Sequence, residues 1–232
     1  MKKYIFALST LLLISITVSA QYSCSKFYPF SEGAKSQLTL YNGKGKVSGI
    51  VEYHILNITD TGNSQTATMK TQLIDDKGKQ MSGSEYEATC KDGVVSIDFK
   101  SLMRPEMMQA YGDMDVDTEI TGKNLDLPND LSVGKSLPDA EINIKISMSG
   151  MNMNMITSIT DREVLAKEMV TTPAGTFECY VLTQNMIVKS MAANQSRTSK
   201  QWIAEGVGVV KTEDYNKKGK LDGYTILTSF SK

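Results

Sequence analysis

Apolar and polar residues alternate along most of this chain, the pattern of strands that bury one face and wet the other. Leu38 and Leu40 begin it. Ala67, Met69 and Leu73 continue it against Thr68, Lys70 and Gln72, and Tyr86, Ala88 and Cys90 against Glu85, Glu87 and Thr89. Val95, Ile97 and Phe99 keep the period, as do Val116, Thr118 and Ile120 against Asp115, Asp117 and Glu119. The row Ile142, Ile144, Ile146, Met148 then answers the row Met151, Met153, Met155 across Ser149-Gly150. Reversals punctuate the runs at Asn42-Gly43-Lys44-Gly45, Thr61-Gly62-Asn63, Asp75-Asp76-Lys77-Gly78 and Lys91-Asp92-Gly93, each with glycine where a tight hairpin wants positive φ. From Arg162 the strands are more uniformly apolar. Pro173-Ala174-Gly175 reverses the chain into Phe177–Val188, Trp202 leads into Glu205–Lys211, and the lysine-rich turn Tyr215–Lys220 sends back a last strand.

One stretch breaks the period. From Ser101 to Tyr111 the spacing of Leu102, Met103, Met107, Ala110 and Tyr111 predicts an amphipathic helix, with Pro105 near its first turn and Gly112 ending it. The expected fold is therefore all-β with one short helix. A meander of about a dozen antiparallel strands is too wide to stay flat. It curls around the helix into an open half-barrel; the alternative is a two-sheet β-sandwich.

Residues 1–20 have the build of a secretory signal: Lys2 and Lys3, an apolar run from Ile5 to Val18, and the small cleavage triplet Val18-Ser19-Ala20. The mature product is expected to span residues 21–232 as a single β-rich domain, exported to the periplasm or beyond the cell. The chain carries 25 basic and 26 acidic side chains, and removing the signal leaves 23 against 26. No field of one sign dominates, which argues against a nucleic-acid partner. An oxidising compartment turns three cysteines into one bridge and one free thiol. Cys179 alternates with Phe177 and Val181 on an inward face, so Cys24 and Cys90, each beside a polar turn, are the expected disulfide.

Signals of catalysis are weak. His54 is the only histidine, its neighbour on the strand face is Glu52, and no nucleophile elbow accompanies it. The expectation is a non-enzymatic protein without a cofactor. Asp113, Asp115, Asp117 and Glu119 lack the glycine and the closing glutamate of a calcium loop and read as a solvated edge. Alternating thioethers at Met151, Met153 and Met155 could gather Cu(I), but methionine is spread over other strands as well, which favours adaptable packing and no metal site. Those three, with Ile142, Ile144 and Ile146 on the facing strand, are the expected lining of a cavity for a lipid or lipoprotein segment. The alternatives are a structural or interaction protein of the envelope without ligand and, behind it, a Cu(I) binder. A Lys-Gly-Lys turn recurs at Lys44, Lys77 and Lys218. It reads either as convergent hairpin chemistry or as a basic rim for an anionic membrane surface or an acidic partner.

The run Pro173-Ala174-Gly175-Thr176-Phe177-Glu178-Cys179-Tyr180, with Trp202 and Gly206-Val207-Gly208-Val209-Val210-Lys211, resembles a TapB-like group of secreted bacterial proteins of unknown function. Its members carry an early cysteine motif, here Cys24 to Pro29, and a mid-chain one, here Cys90-Lys91-Asp92-Gly93. Such proteins are distantly similar to half-barrel lipoprotein carriers and outer-membrane lipid-binding proteins. The resemblance implies a fold and an exported setting, and it brings no catalytic residues.

Overall fold

The computed structural model describes residues 24–97, 116–148, 151–190 and 194–232. These form one antiparallel sheet of 13 strands, not the two sheets of a sandwich. In chain order the strands are β1 (Lys35–Asn42), β2 (Val47–Asp60), β3 (Ser64–Asp75), β4 (Gln80–Lys91), β5 (Val94–Ile97), β6 (Val116–Lys123) and β7 (Leu125–Pro128). Then come β8 (Ala140–Met148), β9 (Met151–Thr172), β10 (Gly175–Lys189), β11 (Asn194–Ala204), β12 (Gly208–Asn216) and β13 (Leu221–Ser231). No helix occurs among the described residues, and the stretch 101–111 expected to be helical lies outside them.

Across the sheet the order is β6-β8-β9-β10-β11-β12-β13-β1-β2-β3-β4-β5-β7. Two meanders, β8 to β13 and β1 to β5, are welded where the first strand pairs with the last, Lys35 facing Ser231 and Asn42 facing Gly223. The free edges are β6 and β7, which Asn124 alone separates in the chain. Twelve spacings of ~4.8 Å would hold the edges of a flat sheet almost ~60 Å apart, whereas Lys123 and Leu125 can be no more than about 7 Å apart. The sheet therefore wraps into a nearly closed barrel. It seals only in part: β5 pairs with Ala88–Lys91 of β4, and the outer edge of Gln80–Glu87 has no strand partner among the described residues. That leaves one open seam.

Beyond Asn124 a buried cation locks the join. Asp161 takes a left-handed φ of 52°, and Asp161 and Arg162 together sit opposite Gln184, between the pairs Thr160–Asn185 and Glu163–Thr183. This bulge re-aims Arg162. The side chain is 5% exposed, and its Nη1 donates to the carbonyls of Asp126, at 2.9 Å, and Pro138, at 2.5 Å. Burial pushes the guanidinium pKa below its usual value, against the opposing influence of Tyr28, Asp126 and Asp139. The loop between β7 and β8 is stitched to the same bulge, Leu137 N–H donating to Arg162 O and Val164 N–H to Lys135 O.

The N-terminal segment plugs one end. Phe27 is 1% exposed among Leu127, Leu131, Leu137 and Val164. Cys24 is bonded to Cys90 on β4. Asn129 grips the segment from both sides, its Oδ1 accepting from Lys26 N–H and its Nδ2 donating to Cys24 O. Cys179 is free and buried, and burial first, then the Glu168 carboxylate, pushes its thiol up to about 11.

Two outcomes are expected. Replacing Cys24 and Cys90 by serine should cost about 4 kcal/mol in urea unfolding, from the chain entropy of the closed loop; a change under about 1 kcal/mol would mean the plug is held without the bridge. Arg162→Ala should cost roughly 3 kcal/mol by stranding carbonyl acceptors at the join, with faster hydrogen exchange in β7 and residues 134–137. Unchanged exchange there would remove Arg162 from its locking role.

Candidate functional site

Inside the barrel the inward-facing residues of β1 to β4 surround a cavity of about 620 Å³. Leu38 and Leu40 come from β1, Val51, Tyr53 and Ile55 from β2, Met69 and Leu73 from β3. These are the alternate positions that a strand must send to one side. The space exists because neighbouring inward positions are small. Thr71, Ser82 and Ser84 line it, and the Thr71 and Ser84 hydroxyls satisfy each other at 2.9 Å. The plug forms the floor through Tyr28 and Pro29, beside Val207 and Val209. Gly208 has φ of 87°, and a Cβ there would stand 3.2 Å from the Tyr28 ring. The floor therefore requires glycine at that position.

Three phenols give this apolar wall its polarity. Tyr86 is buried and Tyr28 and Tyr53 are half-buried, all three packed with one cluster that includes Ile55 and Met69. None of their hydroxyls has a hydrogen-bond partner among the described residues. Burial pushes Tyr28 up to about 12, with Tyr53 adding to the rise and Arg162 opposing it. Tyr53 is raised by burial alone, and Tyr86 by burial and then by Tyr53 and Tyr28. All three are thus protonated near neutral pH and can donate into the cavity.

A family model described as DUF3108-like matches residues 31–227, most of the chain. The chain belongs to the DUF3108-like family. Two crystal structures share its fold. One is from Bacteroides fragilis NCTC 9343 and is named for an exported protein with a YmcC-like fold. It is 23% identical, with a TM-score of 0.70 over 90% of this chain and 100% of its own. The other, named for a lipoprotein of Parabacteroides distasonis ATCC 8503, is 24% identical, with a TM-score of 0.69 over the same shares, 90% and 100%. No curated protein matches the chain.

In this DUF3108-like barrel the residues expected to line a ligand site lie elsewhere on the sheet. Ile142, Ile144 and Ile146 are buried, with the half-buried Ile120 and Met155 packed against them. The register puts Met155 opposite Ile144, Met153 opposite Ile146 and Met151 opposite Met148, so the two rows share a face, yet Met153 is 38% exposed. Ile142, Ile144, Ile146, Met153 and Met155 do not line the 620 Å³ cavity. Of the expected acidic edge, Glu119 pairs with Lys145 at 3.1 Å. Glu52 accepts from Gln37 Nε2 at 2.9 Å. No group of three or more His, Cys, Asp or Glu side chains placed to hold a metal ion occurs among the described residues.

Tyr53 could have been found from the strand pattern, since Val51, Tyr53 and Ile55 face away from Glu52 and His54. Arg162 carries no such mark, because only the bulge at Asp161 reveals which way it points.

A raised phenol pKa stabilises the fold fully below the ordinary phenol value near ~10, and that contribution is lost as pH climbs through the folded value. Subtracting the ultraviolet titration of Tyr28→Phe from that of the parent should leave a phenol that ionises at about 12, with stability falling between ~10 and that value. A difference centred near ~10 would show that the floor is wet.

Proposed function

We propose that this protein is an exported, non-catalytic carrier that holds an apolar or amphipathic ligand, a lipid or the acyl segment of a lipoprotein, inside its barrel. The observation that carries this reading is the cavity. Its 620 Å³ falls within the ~300–1,000 Å³ of small-molecule sites, which are mostly apolar with a few placed donors. A folded core normally closes on itself to crystal-like density, so space walled by leucine, isoleucine and methionine is a cost that a ligand would offset. The three phenols suit a carbonyl or carboxylate at one end of an acyl chain.

Export is supported by the signal-like residues 1–20, by the disulfide, and by the names of the two structural neighbours. A binding role is supported by where the reactive groups lie. The thiol of Cys179 is buried, with its pKa raised to about 11, and His54 alternates to the face opposite Tyr53.

A fluorescent fatty acid titrated into the purified protein should bind saturably, one per chain. Val51→Trp with Leu73→Trp should weaken it at least tenfold by filling the cavity. Tyr53→Phe with Tyr86→Phe should weaken it roughly thirtyfold, at about 1 kcal/mol for each lost hydrogen bond. Met151→Leu, Met153→Leu and Met155→Leu together should leave binding unchanged, each swap costing under about 1.5 kcal/mol. Lost binding in the methionine variant alone would move the site to the β8–β9 hairpin. No saturable binding to the parent would leave a structural envelope protein.

A further inference from the structure

The Lys-Gly-Lys turns are one structure built three times. In each, an Asn or Asp side chain accepts from the backbone two and four residues on: Asn42 Oδ1 from Lys44 and Lys46 N–H, Asp75 Oδ1 from Lys77 and Lys79 N–H, Asn216 Oδ1 from Lys218 and Lys220 N–H. The glycines follow with φ of 78°, 83° and 71°. Asn42 faces Gly223 and Gly49 faces Asp75, so all three tips stand side by side at one end of the barrel, opposite the plug.

Asx oxygen and glycine fix this geometry, and the lysine side chains take no part in it. Lys44, Lys46, Lys77, Lys79, Lys217, Lys218 and Lys220 are all exposed, and none of their ammonium groups is paired with a carboxylate among the described residues. Against these seven the turns hold only Asp75 and Asp76, a local charge of +5 on a chain whose total is −1. Asp222 nearby is already held by Arg197 at 3.7 Å. Apolar side chains stand out directly beyond two of the turns, Val47 at 39% and Met81 at 59% exposure.

We infer that this end docks on an anionic phospholipid bilayer. Lysines held at one level suit a sheet of phosphates, and the exposed valine and methionine can enter the interface between them. An acidic protein would pair with the charge but would leave those side chains without a role. The docking surface uses none of the cavity's side chains and stands or falls separately from the proposed carrier function. The two are nonetheless adjacent, since Leu40 and Leu73 of the cavity wall each lie two positions before a lysine turn.

The test is cosedimentation of the full mature protein with vesicles of phosphatidylglycerol and phosphatidylcholine, against phosphatidylcholine alone. Binding to the mixed vesicles only is expected, weakening as salt rises. Lys44→Glu, Lys77→Glu and Lys218→Glu together should lower the partition coefficient at least tenfold with an unchanged melting temperature. Met81→Ser should lower it a few-fold at constant charge. Fatty-acid binding in solution should be untouched by all of these. Equal binding to uncharged vesicles, no binding to either kind, or insensitivity to the triple reversal would overturn the inference. So would capture of polyglutamate with indifference to vesicles, which would assign the lysines to an acidic protein.

Discussion

Everything in this barrel depends on a covalent constraint, the single residue between β6 and β7. Those strands are the two edges of the sheet, and a chain that leaves one edge and enters the other within one residue forbids a flat or loosely open sheet. Hydrogen bonding along the ladders gives each strand its neighbours but says nothing of closure. Asn124 supplies the closure, and Arg162 fixes it by joining a carbonyl of β7 to the loop that precedes β8. A carboxylate partner would have cancelled the charge of Arg162, but carbonyl dipoles leave it intact while accepting from its Nη1. The field of that charge reaches the floor of the cavity, where it opposes the rise in the Tyr28 pKa.

Width then produces the cavity. Small barrels fill with their own side chains, and wider ones enclose space. Here the space is kept on one side. Between β9, β10 and β11 the interior is packed with Val164, Leu182 and Ile203, whereas across β1 to β4 the inward positions include threonine and serine. The plug floors that space at one end. Its attachment by disulfide, by Asn129 and by a glycine that admits the Tyr28 ring makes the floor part of the folded core and not an appended tail.

Period-two alternation and turn chemistry made most of this fold legible in the sequence. The strands from Leu38 to Ile97 and from Ile142 to Phe230 lie where the pattern put them, as do the curl of a long meander, the Cys24–Cys90 bridge and the burial of Cys179. The strands and turns are local features, and the bridge between residues 66 apart in the chain followed from cysteine count and compartment. Sequence order could not reveal that β13 pairs with β1, nor that β6 and β7 part to opposite edges, since both pairings join residues distant along the chain. The cavity escaped for a related reason. Alternation tells which residues face inward but not whether the interior opposite them is filled. Ile142 to Ile146 and Met155 are as apolar as any lining, and they have closed on one another. The methionine row was the most conspicuous feature of the sequence, whereas Tyr53 and Arg162 were among the least.

The two ends of the barrel show how separately fold and surface can be specified. At the plug end, side chains are committed to holding the structure together: Phe27 is buried, Asn129 bonds twice, and Lys26 meets Glu205 at 2.8 Å. Within the three lysine turns the stabilising contacts belong to the backbone and to one Asx oxygen per turn, so the lysine side chains are free of structural duty. Exposed charges at such positions change stability little, and a turn can hold serine or asparagine as well as lysine. The repetition of lysine in all three turns is therefore not something the hairpins require. The same freedom holds along the half of β4 that has no strand partner among the described residues, where Glu85 and Glu87 discourage edge-to-edge association. Charge on this molecule is concentrated where the fold makes no demand for it, which leaves its sign at each place open to be set by what that surface meets.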